Sequence, residues 1–131
     1  MSKSYKKVLS IAGSDSGGGA GIQADIKAIS ACGSYAMTAI TAITVQNTLG
    51  VAGIHPVPSS YVADQMAAVI EDIGVDAVKI GMLPSVETVE RVADVLRRHG
   101  ISRVVVDPVM VSTSGSCLSG EEVMASIREL L

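Results

Sequence analysis

The sequence predicts an α/β domain built on a mainly parallel sheet with helices over both faces. Three observations lead there. Short apolar, β-branched runs recur along the chain, amphipathic stretches of helical period alternate with them, and glycines at 33, 74 and 100 close those stretches. The 131 residues are 48% hydrophobic and 18% charged, which suits one buried core and argues against disorder.

Val8-Leu9-Ser10-Ile11-Ala12 reads as a buried strand that stops in a glycine cluster. Ile22, Ile26 and Ile29 then share one face of a helix that Gly33 ends. Tyr35 to Val45 alternates in period two, most clearly from Met37, and Gln46-Asn47-Thr48 breaks the strand. Val51 to His55 is a short strand before two prolines. Ser59 or Ser60 caps a helix on which Val62, Met66, Val69, Ile70 and Ile73 share a face, and Gly74 ends it. Ala77-Val78-Lys79-Ile80 is a further strand. Ser85 caps the next helix, whose buried stripe is Val86, Val89, Val92, Ala93 and Leu96. Its early Glu87 and Glu90 and late Arg97, Arg98 and His99 suit the helix dipole. Val104-Val105-Val106 is a strand ending at Asp107-Pro108. Ser119 with Glu122 forms a capping box for a last helix carrying Val123, Ile127 and Leu130, which runs to Leu131 with no stop signal.

The balance of 10 Lys+Arg against 13 Asp+Glu gives a formal charge of −3 and no basic patch, so neither nucleic acid nor an acidic membrane surface is an expected partner. No uninterrupted apolar run reaches the roughly 18 residues of a spanning helix. The basic opening Met1 to Lys7 resembles a signal n-region, but the apolar run after it stops at Gly13-Ser14-Asp15, and a cytoplasmic location is the expectation. Cys32 and Cys117 lack metal-ligand spacing and are expected to be reduced, small, buried or half-buried residues. No Ser/His/Asp set is present.

In parallel sheets ligands bind beyond the carboxyl ends of the strands. Three loops lie there: 13–21, 81–83 and 107–110. The first, Gly13-Ser14-Asp15-Ser16-Gly17-Gly18-Gly19-Ala20-Gly21, is the densest signal in the chain. Glycines at a strand-to-helix turn let the backbone approach a ligand and aim free amides at it. The spacing fails both phosphate-loop templates: no Lys-Ser or Lys-Thr follows in register, and a dinucleotide pattern from Gly17 would need Gly or Ala at Ile22. A tight turn and a ligand-facing loop both remain open.

Asp107 stands at the end of a buried strand, where a carboxylate needs a partner; a cation or a metal-bound phosphate would serve, and so would a loop-fixing role. Lys79 interrupts an apolar strand. Its head either reaches solvent over a packed stem or neutralises an anion or carboxylate. Gln46 and Asn47 offer donors and acceptors suited to a planar heterocycle, although turn chemistry also accounts for Asn47. His55 and His99 read as structural or exposed.

Four ordered motifs, Ala12 to Asp25, Thr41 to Thr48, Lys79 to Leu83 and Asp107 to Met110, together resemble the hydroxymethylpyrimidine and phosphomethylpyrimidine kinases of thiamine biosynthesis. The resemblance implies a ribokinase-like three-layer fold, incomplete at the C-terminus, with residues 1–131 forming the N-terminal, substrate-binding part of a single kinase domain. It implies phosphorylation of 4-amino-5-hydroxymethyl-2-methylpyrimidine and then of its monophosphate, with ATP and Mg2+ as cofactors and a homodimer as the assembly. By the same resemblance Gln46 hydrogen-bonds the aminopyrimidine, and Ala20, Met82 and Val109 shape the walls around its ring. Asp25 binds or orients the hydroxymethyl group, and Asp107 lies near the phosphates and magnesium. The family's nucleotide loops, anion hole and catalytic residue lie in a second half with no counterpart after Met110, so the 131-residue chain is expected to have little or no kinase activity. The competing readings are a pyridoxal or pyridoxine kinase of the same superfamily and a non-catalytic pyrimidine-binding module.

Overall fold

In the computed structural model, which describes residues 2, 4–109, 115 and 119–131, five strands and four helices follow one another. They are β1 (Lys7–Ser14), α1 (Gly21–Ala31), β2 (Tyr35–Asn47), β3 (Gly50–Pro56), α2 (Ser59–Asp72), β4 (Ala77–Ile80), α3 (Val86–Arg98), β5 (Val104–Val106) and α4 (Glu121–Leu130). Met110 of the fourth motif and Cys117 lie outside the described residues. The strand order is β3-β2-β1-β4-β5. β1 pairs in parallel with β2 and β4, β4 pairs in parallel with β5, and β3 alone runs antiparallel, against β2. The chain leaves β1 toward β2 on one side and later returns to β4 on the other, which puts a topological switch point beside the C-terminal end of β1.

Period-two alternation sorts the sheet into two faces. Leu9, Ile11, Ala39, Val78 and Ile80 are at most 2% exposed and pack against Val62 and Met66 of α2, Val89 and Val92 of α3 and Val123 and Ile127 of α4. Burying a valine, leucine, isoleucine or methionine side chain stabilises by about 1.5–3 kcal/mol. The alternate row, Ser10, Lys79 and Val105, faces the side of α1. That helix contacts β1 and β2 and leaves β5 bare, so Val105 is 67% exposed. Helices thus lie over both faces as expected, with α1 covering the β1 and β2 part of the second face among the described residues. Ile22 of α1 is buried, whereas Ile26, placed on the same stripe by spacing, is 38% exposed. Cys32 is exposed at the end of α1 rather than buried or half-buried.

Several ends differ from expectation. β2 continues through Gln46 and Asn47 instead of breaking, because β3 pairs with it as far as Asn47 opposite Gly50. Asn47 does make the turn, its Oδ1 accepting from the Leu49 amide at 2.8 Å and the Gly50 amide at 3.3 Å. Neither Ser59 nor Ser60 caps α2. Pro58 holds that position, and Ser59, already inside the helix, donates its hydroxyl to Glu87 Oε1 at 2.6 Å, tying α2 to α3. The capping box at Ser119 is likewise not formed: α4 starts a residue too late for it, Gly120 is the cap residue, and Ser119 Oγ donates to the Leu83 carbonyl at 3.3 Å. Ser85 caps α3 as its position predicts, accepting from the Thr88 amide at 3.1 Å. Gly33, Gly74 and Gly100 all stand at positive φ where their helices end.

Candidate active site

The loop between β1 and α1 is fixed by its own carboxylate. Asp15, 5% exposed, turns its side chain back so that Oδ1 accepts from the Gly17 amide at 2.8 Å. Its Oδ2 accepts from the amides of Gly19 at 3.0 Å and Ala20 at 2.8 Å. The Gly18 amide is used as well, by the Asp15 carbonyl at 3.0 Å. The expectation that this loop aims free amides at a ligand is therefore corrected. An internal anion already occupies the concavity that the glycines make.

Other residues brace the same loop. Gln23 accepts from the Asp15 amide and donates to Ser14 Oγ, both at 2.8 Å. Ser16 Oγ donates to the Gln46 carbonyl at 2.5 Å and accepts from the Gln46 amide at 2.9 Å, riveting the loop to the end of β2. Gly21 has φ +59°, and a Cβ there would overlap the Gly13 carbonyl oxygen, so only glycine lets α1 start so close to β1. What the loop offers a ligand is a rigid wall carrying the Ala20 methyl.

Beyond the C-terminal ends of β1, β2, β4 and β5 lies a cleft of about 300 Å3, at the lower end of the range for small-molecule sites. All six residues singled out from the sequence line it: Ala20, Asp25, Gln46, Met82, Asp107 and Val109. Met82 is nearly buried, its carbonyl held by the Thr41 hydroxyl at 2.7 Å. A Cβ on Gly13 would stand 2.9 Å from Met82 Cε, so glycine is what lets the thioether lie across the cleft floor.

Gln46 is half-buried at the rim. Its Oε1 lies 3.1 Å from Thr44 Oγ1, but that hydroxyl also lies 2.7 Å from the Ser14 carbonyl. A hydroxyl has one proton, and the shorter contact takes it. The Gln46 amide thus keeps both a donor and an acceptor for a ligand edge.

Asp25 is not free in the cleft. Its Oδ2 accepts from Ser10 Oγ at 2.6 Å and from Lys79 Nζ at 2.9 Å, and Lys79 Nζ reaches Oδ1 at 3.1 Å. Of the readings open for Lys79, pairing with a carboxylate is the one realised. Asp107, expected to need a partner because its strand reads as buried, is exposed at the cleft rim; β5 is an edge strand, so water solvates the carboxylate. Asn47 is engaged in its turn. His99 caps α3 and contacts Glu71 at 3.3 Å, and His55 is exposed, which leaves both outside the cleft. Sequence reasoning passed over Ser10, Ser14 and Thr44. A small hydroxyl inside an apolar strand was the available signal for Ser10 and Thr44. Among the described residues no group of three or more His, Cys, Asp or Glu side chains is placed to hold a metal ion. None of their helices is long and apolar enough to cross a membrane.

A sequence model of phosphomethylpyrimidine kinase matches residues 15–131. The chain belongs to the phosphomethylpyrimidine kinase family. It is 51% identical over 128 residues to a hydroxymethylpyrimidine/phosphomethylpyrimidine kinase of Bacillus subtilis, a match covering 98% of this chain and 47% of that one. The crystal structure of a phosphomethylpyrimidine kinase from Clostridium difficile superposes with a TM-score of 0.86 at 47% identity, over 93% of this chain and 53% of that one. A Staphylococcus aureus pyridoxal kinase in complex with pyridoxal gives the same TM-score at 34% identity, over 98% of this chain and 47% of that one. The fold is thus the ribokinase-like one these kinases share, and the chain spans about half the length of the curated relatives it matches.

Proposed function

We propose that this chain is the pyrimidine-binding part of an ATP-dependent kinase of thiamine biosynthesis. Its substrates would be 4-amino-5-hydroxymethyl-2-methylpyrimidine and the corresponding monophosphate. The observation that carries the reading is the convergence of the six residues on one cleft, with the Gln46 amide unspent at its rim. A neutral amide reads the donor and acceptor edge of an aminopyrimidine, and the Ala20 methyl, Met82 thioether and Val109 side chain supply apolar walls for the ring faces. Asp25, at the cleft side of α1, accepts the hydrogen bond of the hydroxymethyl group.

The two cofactors fit unequally. Asp107, exposed at the β5 end of the cleft, suits a magnesium ion held directly or through water beside phosphate oxygens, since magnesium sites commonly combine one or two carboxylates with substrate phosphates. Such an ion would neutralise charge on the transferred group. A triphosphate finds less. Asp15 occupies the glycine-loop amides, and Lys79, among the described residues the one cationic side chain lining the cleft, is paired with Asp25. Phosphoryl transfer rests on positioning and charge stabilisation, so the 131-residue chain binds the pyrimidine and turns over ATP little or not at all.

Titration calorimetry of the purified chain with the aminopyrimidine alcohol and, separately, with pyridoxal tests the substrate class. Saturable binding of the pyrimidine in preference to pyridoxal is expected. Preference for pyridoxal transfers the chain to the other branch of the superfamily, which its 34% identity to a pyridoxal kinase makes the natural second reading. ATP-dependent turnover at the rates usual for kinases would overturn the proposed inactivity.

A further inference from the structure

The cleft walls leave one polar cluster unexplained. Ser10 of β1 and Lys79 of β4 are register partners on neighbouring strands and point to the same side, where Asp25 of α1 meets both. Ser10 is fully buried, and the Asp25 and Lys79 side chains are 17% and 27% exposed. Gly81 makes room for the arrangement, since a Cβ there would come within 3.2 Å of Lys79 Nζ and 2.9 Å of Ala12 Cβ. A partly buried ion pair is seldom the best route to stability, because apolar residues of similar volume usually do as well. Its position on the cleft is therefore the feature to account for.

The two carboxylate oxygens are used unequally. Oδ2 accepts two short hydrogen bonds, from Ser10 at 2.6 Å and Lys79 at 2.9 Å, whereas Oδ1 has only the longer Lys79 contact of 3.1 Å. An ionised carboxylate offers about four lone-pair directions, two on each oxygen. Oδ2 is filled and Oδ1 is not.

We infer that Lys79 and Ser10 are positioning residues that act through Asp25, pinning Oδ2 so that Oδ1 faces the cleft as the acceptor for a ligand hydroxyl. The inference rests on the proposed pyrimidine reading and assigns the recognition of the hydroxymethyl group to a named atom held by two named donors. Lys79 also balances the Asp25 charge at the point where an uncharged alcohol would meet it. Without Lys79 only the Ser10 hydroxyl holds the carboxylate, which can then turn about that single bond, and its hydroxyl preference weakens with its orientation.

The test compares two ligands on the 131-residue chain by titration calorimetry: the aminopyrimidine alcohol and the analogue with a plain methyl group in place of hydroxymethyl. The unsubstituted chain is expected to prefer the alcohol by about tenfold, the scale of one hydrogen bond to a charged acceptor. Lys79→Met should cut that preference to about twofold or less, Ser10→Ala should cut it to about threefold, and Lys79→Arg should restore most of it. A merely structural role would weaken both ligands by the same factor and leave the ratio unchanged, and that result overturns the inference. Should Lys79→Met lose the circular dichroism spectrum of the folded chain, Ser10→Ala decides: an unchanged ratio there overturns the inference. An unsubstituted chain that binds both ligands equally overturns it while leaving the pyrimidine reading intact. A chain that binds neither overturns both.

Discussion

The two faces of the sheet are built from alternate residues of the same strands, yet they are different materials. On one face Leu9, Ile11, Val78 and Ile80 are almost completely buried under α2, α3 and α4. On the other, Ser10 and Lys79 meet the single helix α1 through a charged cluster, and Val105 is open to solvent. The packed face carries the stability of the chain. The thin face carries polar groups whose partners are few and specific, and it can do so because the other face holds the strands in register.

The comparison can be broken from the packed side first. Leu9→Ala should destabilise the chain by about 2–5 kcal/mol, read as a lower midpoint in urea, because it empties a site between the central strand and three helices. The fraction that stays folded should keep its ligand affinity. Gln46→Ala is the converse: affinity for the aminopyrimidine should fall about tenfold in calorimetry while the urea midpoint moves by less than about 0.5 kcal/mol. A loss of stability comparable to that of Leu9→Ala would erase the distinction between the faces.

Ser85→Ala should cost about 1 kcal/mol, since it removes the one N-terminal side-chain cap among the described residues and lies away from the cleft. The smallest effect concerns acid. The Lys7 amide, donating to Asp76 Oδ2 at 2.8 Å, holds the Asp76 carboxyl below the usual aspartate range, and the charges of Lys6, Lys7 and Arg103 act in the same direction while desolvation opposes them. A carboxyl depressed on folding adds stability above its unfolded pKa, and that stability is lost as pH falls through the folded value. Asp76→Asn should therefore flatten the acid limb of the stability profile below about pH 4 and leave neutral-pH ligand binding untouched.

Most of the fold was legible because periodicity records burial. The Ala77–Ile80 and Val104–Val106 strands have the bounds their apolar runs indicate, and the stripe on α3 is buried as its spacing predicts. The errors sit at ends and edges. Ser59 and Ser119 have the chemistry of caps, but each lies one position away from the cap residue of its helix, and a hydroxyl displaced by one residue no longer reaches the amides. Ile26 matches its stripe yet is 38% exposed. For the site, the resemblance drew attention to six residues that line one cleft. It gave no sign that Asp25 would already be engaged or that Asp107 would be exposed.

The sequence by itself determined the alternation of strands and helices, the glycine punctuation and the four motifs, because backbone preference and hydrophobic period act over a few residues. Tertiary structure alone decided that Asp15 fills its own glycine loop, that the Gln46 amide stands at the cleft rim beside Thr44, and that Ser10, Asp25 and Lys79 share one cluster. Those facts depend on distances between residues as many as 69 positions apart, from Ser10 to Lys79. Hydrogen bonds and charges take effect only when the packed strands bring their partners within about 3 Å, a condition no local pattern encodes.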